Sequence, residues 1–185
     1  MNISIIDGKQ IKEEYIKEAL ELDYISYEEQ YHLEINQCLE YYLKNDQIYF
    51  MAYENDINMI IGYINFSPIT KNMYDRIKSG EVIDTSISSE DIEEYVDNRN
   101  VWGYLSSIVV HPDYRRKGIA SILLSRLNKF IDTMRNEHNI IFNGIIADAV
   151  SDIGYHLLRT QGFSEVKNSE HDSRIMEKKG YRNAL

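Results

Sequence analysis

The residues with the clearest capacity for chemistry form a basic turn in the second half of the sequence. Residues 109–127 read VVHPDYRRKGIASILLSRL, in which three cations precede a glycine and a small residue: Arg115, Arg116, Lys117, Gly118 and Ala120. The start of a helix presents unpaired backbone N–H groups and the positive end of the helix dipole, and a glycine there allows an anion to approach closely. We therefore predict a phosphate-binding turn, in which the backbone holds the anion and the cationic side chains add charge.

Two other phosphate-binding patterns are missing from the sequence. It contains neither G-x-x-x-x-G-K-[ST], which is typical of P-loop nucleotide hydrolases, nor G-x-G-x-x-G, which is typical of dinucleotide-binding folds. The alternative for the basic turn is a cationic helix start that simply faces solvent. Because cations at a helix N-terminus oppose the dipole, that alternative carries a small energetic cost and offers no function to explain it.

The chain is otherwise strongly acidic. Its 185 residues include 20 Lys and Arg against 30 Asp and Glu, which gives a formal net charge of -10. That charge argues against binding of nucleic acids, transfer RNA included, and of anionic membranes, since both need a basic face. It is compatible with a cationic substrate, because a cleft of one sign concentrates ligands of the other, and equally with a role in solubility alone.

The hydrophobic pattern predicts a domain in which helices and strands alternate. Helices are indicated over residues 9–23, 27–44, 117–136 and 151–161, and strands over 47–55, 59–68, 101–110, 140–150, 162–168 and 173–179. Alternation in the second half predicts a parallel strand pair, while the hairpins predict antiparallel pairs and Pro68 is expected to end a strand. The expected fold class is therefore a single mixed α/β domain over residues 1–185, with helices on the faces of its sheet.

Residues 69–100 interrupt this order as an irregular insert. Two short helices are predicted in it, one closed by Gly80 and one beginning at Ser88. The insert is acidic, with no Lys or Arg among residues 81–94 and with these carboxylates: Glu81, Asp84, Glu90, Asp91, Glu93 and Glu94. A long excursion inside a compact domain is more often functional than idle, but a solvated acidic helix is the other interpretation of the cluster.

The basic turn and its surroundings resemble the GNAT family of N-acetyltransferases. Residues 115–120, RRKGIA, match the acetyl-CoA signature [QR]-x-x-G-x-[GA] of that family, and IVVHPDYR matches its usual run from the fourth strand into this loop. The pair Gly162 and Phe163 matches the end of the family's fourth helix, and the order of elements agrees along nearly the whole chain apart from the insert. The resemblance implies a GNAT fold, whose mixed and mostly antiparallel sheet contains a parallel strand pair that splays apart.

The resemblance also implies acetyl-CoA as the co-substrate, without a metal ion. Backbone groups of Ile108 and Val110 would pair with the pantetheine arm, and backbone N–H groups of residues 116–121 would hold the pyrophosphate. Ser151 stands where many relatives carry an asparagine that touches pantetheine. The cofactor-binding residues implied in this way are Ile108, Val109, Val110, Arg115, Arg116, Lys117, Gly118, Ile119, Ala120, Ser121 and Ser151.

The match to the family fails at the catalytic positions. Many relatives carry a carboxylate on the fourth strand where this chain has Ser106 and Ser107, and a tyrosine acid where it has Leu158. Tyr155 lies one helical turn earlier and is a candidate proton donor, while Ser107 could order a water that relays the proton of the amine. The candidates to replace the missing carboxylate lie in the insert: Glu81 and Asp84.

These features together predict an enzyme that transfers an acetyl group from acetyl-CoA directly to a primary amine. The acidic insert favours a cationic small molecule or peptide as the acceptor. A catalytically weak module that binds acyl-CoA and regulates a partner is the alternative, because the catalytic positions are unusual. A cytoplasmic protein is expected, since the N-terminus lacks the pattern of a signal peptide, no apolar run could span a bilayer and Cys38 is the single cysteine. A homodimer is compatible with the sequence.

Overall fold

The computed structural model describes residues 1–180, and a seven-stranded sheet runs through it. The strands are β1 (Ile3–Asp7), β2 (Tyr49–Glu54), β3 (Met59–Ile69), β4 (Asn100–Val110), β5 (Ile141–Ala149), β6 (Ser164–Asn168) and β7 (Arg174–Lys179). The helices are α1 (Glu13–Tyr24), α2 (Ile35–Lys44), α3 (Lys71–Ser79), α4 (Ile119–Glu137) and α5 (Asp152–Thr160). The strands lie in the order β1-β2-β3-β4-β5-β7-β6, and all neighbours are antiparallel except β4 and β5. The predicted fold class is thus confirmed, while residues 181–185 of the predicted domain lie outside the described residues.

The two parallel strands separate before they end. β4 pairs with β5 from Asn100 to Leu105, which lies opposite Ala147. Beyond that point each strand follows its outer neighbour, since β4 stays paired with β3 as far as Val110 and β5 stays paired with β7 as far as Ala149. A gap therefore opens in the sheet between the two strand ends, where the splayed pair was expected.

Helices pack on both faces of the sheet and form two apolar layers with it. α1, α2 and α3 cover one face, where Ile16, Met51 and Tyr74 are fully buried. α4 and α5 cover the other face, where Phe66 and Leu123 are fully buried. Burial of one such side chain contributes about 1.5–3 kcal/mol, so the two layers fix the strands on either side of the gap.

Two parts of the N-terminal half differ from the sequence prediction. The pattern does not predict β1, an edge strand whose side chains are mostly half-buried and therefore alternate weakly. The helix predicted over residues 27–44 is wrong in its first part, because α2 begins only at Ile35. Residues 25–34 form a loop with a short 3-10 turn, Glu29–Tyr31, from which Tyr27 and Tyr31 face the strand gap. Their inward packing produces the apolar spacing that resembles a helical stripe.

The insert contains one of its two predicted helices. α3 ends at Gly80 as predicted, with that glycine in the left-handed region at φ 76°. The second predicted helix is wrong, since the chain makes only a 3-10 turn, Ser89–Asp91, before Ile92 forms an isolated β-bridge with Ile69. Because Ile92 pairs with the sheet, the segment stays extended. β3 correspondingly runs one residue past Pro68, to Ile69.

The insert is anchored to α2 by hydrogen bonds to its backbone. The carbonyl of Ile87 accepts from the Tyr41 hydroxyl at 2.5 Å and from Gln37 Nε2 at 2.9 Å. The carbonyl of Glu93 accepts from Asn45 Nδ2 at 2.9 Å. These contacts hold residues 84–93 over the same face of the sheet as α1 and α2, next to the strand gap.

Candidate active site

The gap between β4 and β5 opens into a cleft of about 580 Å³, which we call the donor cleft. Its walls are the ends of β4 and β5, the first turns of α4 and α5, and two residues of the loop 25–34. The residues that the resemblance implies for acetyl-CoA all line it apart from Lys117: Ile108, Val109, Val110, Arg115, Arg116, Gly118, Ile119, Ala120, Ser121 and Ser151. Lys117 lies outside the lining, with Nζ 4.8 Å from the centre of the Tyr114 ring.

The turn before α4 is arranged to receive an anion. Gly118 has φ 83°, in the left-handed region, and open space surrounds the place where a β-carbon would stand. It provides no side-chain cap, and the first helical hydrogen bond runs from the Ile122 N–H to the Gly118 carbonyl at 3.1 Å. The N–H groups of residues 119–121 precede that bond and remain available to a ligand. The turn therefore fits the pyrophosphate of acetyl-CoA, which the N–H groups and the helix dipole would stabilise.

The two arginines of the turn have different positions. Arg115 donates from Nε to the Val110 carbonyl at 3.1 Å, and its Nη2 lies 3.5 Å from the Ser26 hydroxyl. It thereby ties the turn to β4 and to the loop 25–34. Arg116 adopts φ 60° and is exposed at the rim of the cleft. Arg116 is thus the arginine whose side chain is free to move toward outlying phosphates.

A second cavity meets the donor cleft at the strand gap, on the side of the loop 25–34 and the insert. We call it the acceptor cavity, and it shares four wall residues with the donor cleft: Tyr27, Ser106, Asp148 and Val150. Its other walls are Asp23, Tyr31, Leu33, Asp84 and Ser107. Behind Asp23 and Asp84 it continues into an inner chamber under α1, α2 and the insert. The free volume is about 30 Å³ in the cavity and about 30 Å³ in the chamber.

Asp23 is buried at the end of α1, with 6% of its surface exposed. The Tyr63 hydroxyl donates a hydrogen bond to its Oδ1 at 2.5 Å. Burial raises the pKa of Asp23 to about 7, and the hydrogen bond from Tyr63 and the charge of His32 offset only part of that rise. A carboxyl group with this pKa gains and loses a proton near neutral pH, which is what a general base requires.

Asp84 reaches the acceptor cavity from the insert. The Tyr104 hydroxyl donates a hydrogen bond to its Oδ1. Burial raises the pKa of Asp84 well above its usual range, and the charges of Asp148 and Asp23 raise it further. The insert therefore supplies a carboxyl group that holds a proton more strongly than an exposed aspartate does.

Asp148 reaches the same cavity from the end of β5. Burial raises the pKa of its carboxyl group, against the opposing influence of Ser173 and His171. Its Oδ1 is buried and has no hydrogen-bond partner among the described residues. No lysine or arginine of the described chain lines the acceptor cavity or the inner chamber. The three aspartates thus face a space whose described lining contains no lysine or arginine.

The other predicted catalytic residues are dispersed. Ser107 lines the acceptor cavity and the inner chamber together with Asp84. Glu81 is exposed and lines neither of these spaces nor the donor cleft. Tyr155 packs its ring 4.1 Å from the guanidinium carbon of Arg174 and is not among the residues that line the donor cleft. Of the four candidates, the structure brings Ser107 and Asp84 together in the acceptor cavity.

The sequence interpretation missed Asp23, Asp148 and the two tyrosines of the loop 25–34. Asp148 carried a usable signal, because a carboxylate in the apolar strand IIFNGIIADAV is expected to be buried only for a reason. Asp23 is the last residue of the helix predicted over residues 9–23, and its position there indicates burial only weakly. Tyr27 and Tyr31 gave none, since the chain contains 15 tyrosines.

Comparison with known proteins identifies the family. A model of the acetyltransferase (GNAT) family matches residues 13–163, and the chain belongs to that family. It is similar to a chain of the NatC complex bound to Gag peptide and CoA, with 18% identity and a TM-score of 0.65 over 96% of both chains. It is also similar to PaiA N-acetyltransferase from Thermoplasma acidophilum in complex with coenzyme A, with 16% identity and a TM-score of 0.57 over 97% of this chain and 99% of that one.

The loading GNATL domain of CurA from Lyngbya majuscula is a further similar structure. It has 10% identity and a TM-score of 0.71 over 97% of this chain and 98% of that one. Identities this low support the shared fold alone. No curated protein matches the chain.

Family membership gives the reaction class. The protein is an acetyl-CoA-dependent N-acetyltransferase, so the predicted enzyme class and co-substrate are confirmed. Within residues 1–180, no group of His, Cys, Asp and Glu side chains is placed to hold a metal ion. Over the same residues, no helix combines the length and apolar character needed to cross a membrane.

Proposed function

We propose that the protein transfers an acetyl group directly to a primary amine of a cationic small molecule or peptide. The observation that carries the proposal is the convergence of Asp23, Asp84 and Asp148 on a cavity that meets the donor cleft at the strand gap. An enclosed space lined by carboxylates attracts a cation, because its low polarity strengthens the attraction and no lysine or arginine of its lining competes.

In this proposal the donor cleft holds acetyl-CoA through backbone groups. The N–H groups of residues 116–121 bind the pyrophosphate, and backbone groups of Ile108 and Val110 at the unpaired edge of β4 bind the pantetheine arm. Ser151 caps α5, accepting from the Gly154 N–H at 3.1 Å, and so shapes the opposite wall. When bound, acetyl-CoA supplies the thioester whose carbonyl carbon the amine attacks.

The acceptor enters the cavity as an ammonium ion and must lose a proton before it can attack. The ionised form of Asp84 takes this proton, and its raised pKa makes that form a stronger base than an exposed aspartate, although less of it is present at a given pH. Ser107 lies beside it in the cavity wall and orders a water that relays the proton when the amine is out of direct reach. The remaining acceleration comes from holding amine and thioester in contact across the strand gap.

An acetyl-transfer assay tests the proposal. Purified protein is incubated with acetyl-CoA and a panel of cationic and neutral amines, and release of the CoA thiol is measured. We expect release with cationic amines above that with neutral amines of similar size. Failure of every amine to release thiol, while calorimetry shows that acetyl-CoA binds, would contradict the proposal.

A substitution in the insert tests the role of Asp84. Asp84→Asn is expected to lower kcat/KM at least about tenfold and to leave the affinity for CoA unchanged, because the loss of one catalytic base costs about 100-fold or more when no group replaces it. Glu90→Gln is the matched control, since Glu90 is an exposed carboxylate of the same insert. Equal effects of the two substitutions would show that only the net charge of the insert matters.

A regulatory module that binds acyl-CoA is the second candidate. The packing of Tyr155 against Arg174, outside the cleft lining, favours it because the expected proton donor is then missing from the site. A partner interaction that changes with CoA and persists in Asp84→Asn and Asp148→Asn variants would support this candidate over the enzyme.

A further inference from the structure

Hydrogen bonds join the loop 25–34, which lines the acceptor cavity, to the turn between β6 and β7, and that turn to the insert. The Tyr31 hydroxyl of the loop 25–34 donates a hydrogen bond to the His171 carbonyl, at 3.0 Å, in the turn between β6 and β7. The same turn is tied to the insert, because the Glu170 N–H donates to the Gly80 carbonyl at 3.1 Å. Within the turn, Ser169 accepts from the His171 N–H at 3.0 Å. The loop 25–34, the turn between β6 and β7 and the insert are therefore bonded to one another.

The small free volume on the acceptor side limits the size of the acceptor. The acceptor cavity and the inner chamber each have about 30 Å³ of free volume, whereas the donor cleft has about 580 Å³. A cavity of about 30 Å³ holds roughly one water molecule. An acceptor attached to a polymer chain would need the loop 25–34 to move and to stay displaced, which would break the bond between Tyr31 and His171. A small molecule needs only a transient opening and some rearrangement of side chains.

The carboxylates of the cavity stand at two depths. Asp148 lines the donor cleft and the acceptor cavity, but not the inner chamber. Asp23 lines the acceptor cavity and the inner chamber, but not the donor cleft. Asp84 lies with Asp23 at the entrance of the inner chamber. One ammonium group can meet Asp148 at the strand gap or Asp23 at the chamber, whereas a molecule with two such groups meets both.

The surroundings of the deeper pair suit an alkylammonium group. Tyr63 and Tyr104, which donate hydrogen bonds to Asp23 and Asp84, also line the inner chamber. Aromatic faces next to carboxylates attract cations and tolerate the methylene groups attached to them. The remaining chamber walls are mostly apolar, among them Ile16, Leu20 and Ile87. Such walls can pack against the carbon chain of a small amine.

One carboxylate oxygen of the acidic cluster lacks a hydrogen-bond donor among the described residues. Oδ1 of Asp148 is buried and lacks a hydrogen-bond partner in the described part of the chain. A buried polar atom without a partner is costly, so such an atom at a binding cavity points to a ligand that completes it. Since Asp148 is the carboxylate nearest the donor cleft, the group that completes it is the amine that reacts.

We propose that the acceptor is a compact diamine, whose reacting amine is held by Asp148 at the strand gap and gives a proton to Asp84, while its second ammonium group is held by Asp23 at the inner chamber. This inference rests on the proposed function and narrows its acceptor from small molecules and peptides to short dications. In the reaction a bond forms between the amine nitrogen and the acetyl carbon, and the bond from that carbon to sulfur breaks. The first proton lost by the ammonium goes to ionised Asp84 before the attack. The second, lost by the nitrogen after the attack, passes through water to the departing sulfur, so that CoA leaves as its thiol.

A chain-length series tests the diamine. The α,ω-diamines with three to six carbons are compared with the monoamine and the amino alcohol of the same length, and thiol release is measured with the full chain. We expect kcat/KM for the best diamine to exceed that for its matched monoamine and amino alcohol at least about tenfold, the effect of about 1.4 kcal/mol from the second charge. Lysine-containing peptides are expected to react more slowly than the diamine.

The outcomes separate the two proposals. If monoamines or peptides react as well as diamines, the diamine inference is wrong and the proposed function stands. If no amine reacts, calorimetry with the diamine and CoA separates two cases. If the diamine binds, the diamine site stands and the proposed acetyl transfer is wrong. If the diamine does not bind, both proposals are wrong.

Two substitutions test the roles of the residues. Asp23→Asn keeps an acceptor for the Tyr63 hydroxyl and is expected to reduce the ratio of diamine to monoamine kcat/KM toward one, mainly through the KM of the diamine. Tyr31→Phe removes the hydrogen bond to His171 and is expected to raise kcat/KM for bulky amines and peptides relative to the diamine. An unchanged ratio in Asp23→Asn, with a folded protein shown by circular dichroism, would contradict the deeper subsite.

Discussion

The donor cleft and the acceptor cavity meet at one gap in the sheet, but they are built in different ways. In the proposed function the donor cleft binds phosphate through one continuous stretch, residues 115–121, whose backbone N–H groups would make the contacts. The acceptor cavity draws Asp23, Asp84, Ser107 and Asp148 from four separate segments and uses their side chains. A backbone site depends on conformation at a few positions, whereas a side-chain site depends on the identity of each residue. The two sites should therefore respond differently to substitution.

The largest effect is expected from Gly118→Glu in the donor cleft. A glutamate there adds a side chain and a negative charge to the space that is open beside the helix start. We expect the affinity for CoA to fall at least about 100-fold, which corresponds to about 2.8 kcal/mol. Calorimetric titration with CoA measures the loss, and circular dichroism checks that the fold persists.

Gly118→Ala is the matched control for this variant. Both variants carry the cost of a side chain at φ 83°, about 1–2 kcal/mol, but alanine adds no charge. We expect the alanine variant to bind CoA within about tenfold of the original protein. Equal losses in the two variants would assign the effect to backbone strain, and an unchanged affinity in Gly118→Glu would remove CoA from the donor cleft.

The second effect concerns the acceptor cavity and the stability of the fold. The pKa of Asp23 is about 7 in the folded protein and 3.8 without the protein around it. Because the folded pKa is the higher one, the stability from protonated Asp23 is fully present below about pH 4 and is lost as the pH rises through 7. Asp23→Asn imitates the protonated form, so we expect it to raise the free energy of unfolding at pH 8 by on the order of 2–4 kcal/mol.

Denaturant unfolding at several pH values checks this prediction. The gain in Asp23→Asn should shrink as the pH falls from 8 toward 4, where both proteins carry a neutral group at this position. Glu21→Gln is the control, because Glu21 is exposed on the same helix and its replacement should change stability by less than about 0.5 kcal/mol. A gain that does not depend on pH would mean that Asp23 is not the group that titrates.

The same contrast explains how much of the molecule could be predicted from the sequence. Apolar periodicity predicts the order of elements from β2 onward, except for the second helix predicted in the insert. Neighbouring residues such as Arg116 and Gly118 predict the turn before α4. Edge strand β1 was not predicted because its half-buried side chains show little alternation. Asp23 and Asp148 were not predicted as partners because 125 positions separate them (148 − 23), and only the paired sheet brings them together. Local conformation was thus predictable, and distant side-chain convergence was not.

A smaller effect is expected from the cations of the basic turn. Arg116 lines the donor cleft and is free to reach a phosphate, whereas Lys117 lies over the Tyr114 ring outside the lining. An exposed ion pair contributes about 0.2–1 kcal/mol, so Arg116→Ala should weaken CoA binding about two- to fivefold and less so at high salt. Lys117→Ala should change it by less than about twofold. A larger loss in Lys117→Ala than in Arg116→Ala would reverse this assignment of the two cations.

The smallest effect is expected from Tyr155→Phe, the substitution that best tests the boundary between the two sites. The Tyr155 ring packs on the Arg174 guanidinium, and phenylalanine keeps that contact while it removes the hydroxyl. Since Tyr155 does not line the donor cleft, kcat should change by less than about twofold, the range of a surface substitution of under about 0.5 kcal/mol.

The pH–rate profile of the Tyr155→Phe variant is the decisive measurement. If kcat falls more than tenfold with KM unchanged and the alkaline limb of the profile moves, Tyr155 donates a proton to the departing thiolate. In that case α5 must turn toward the strand gap when acetyl-CoA binds, and the donor side of the site would depend on a side chain as the acceptor side does.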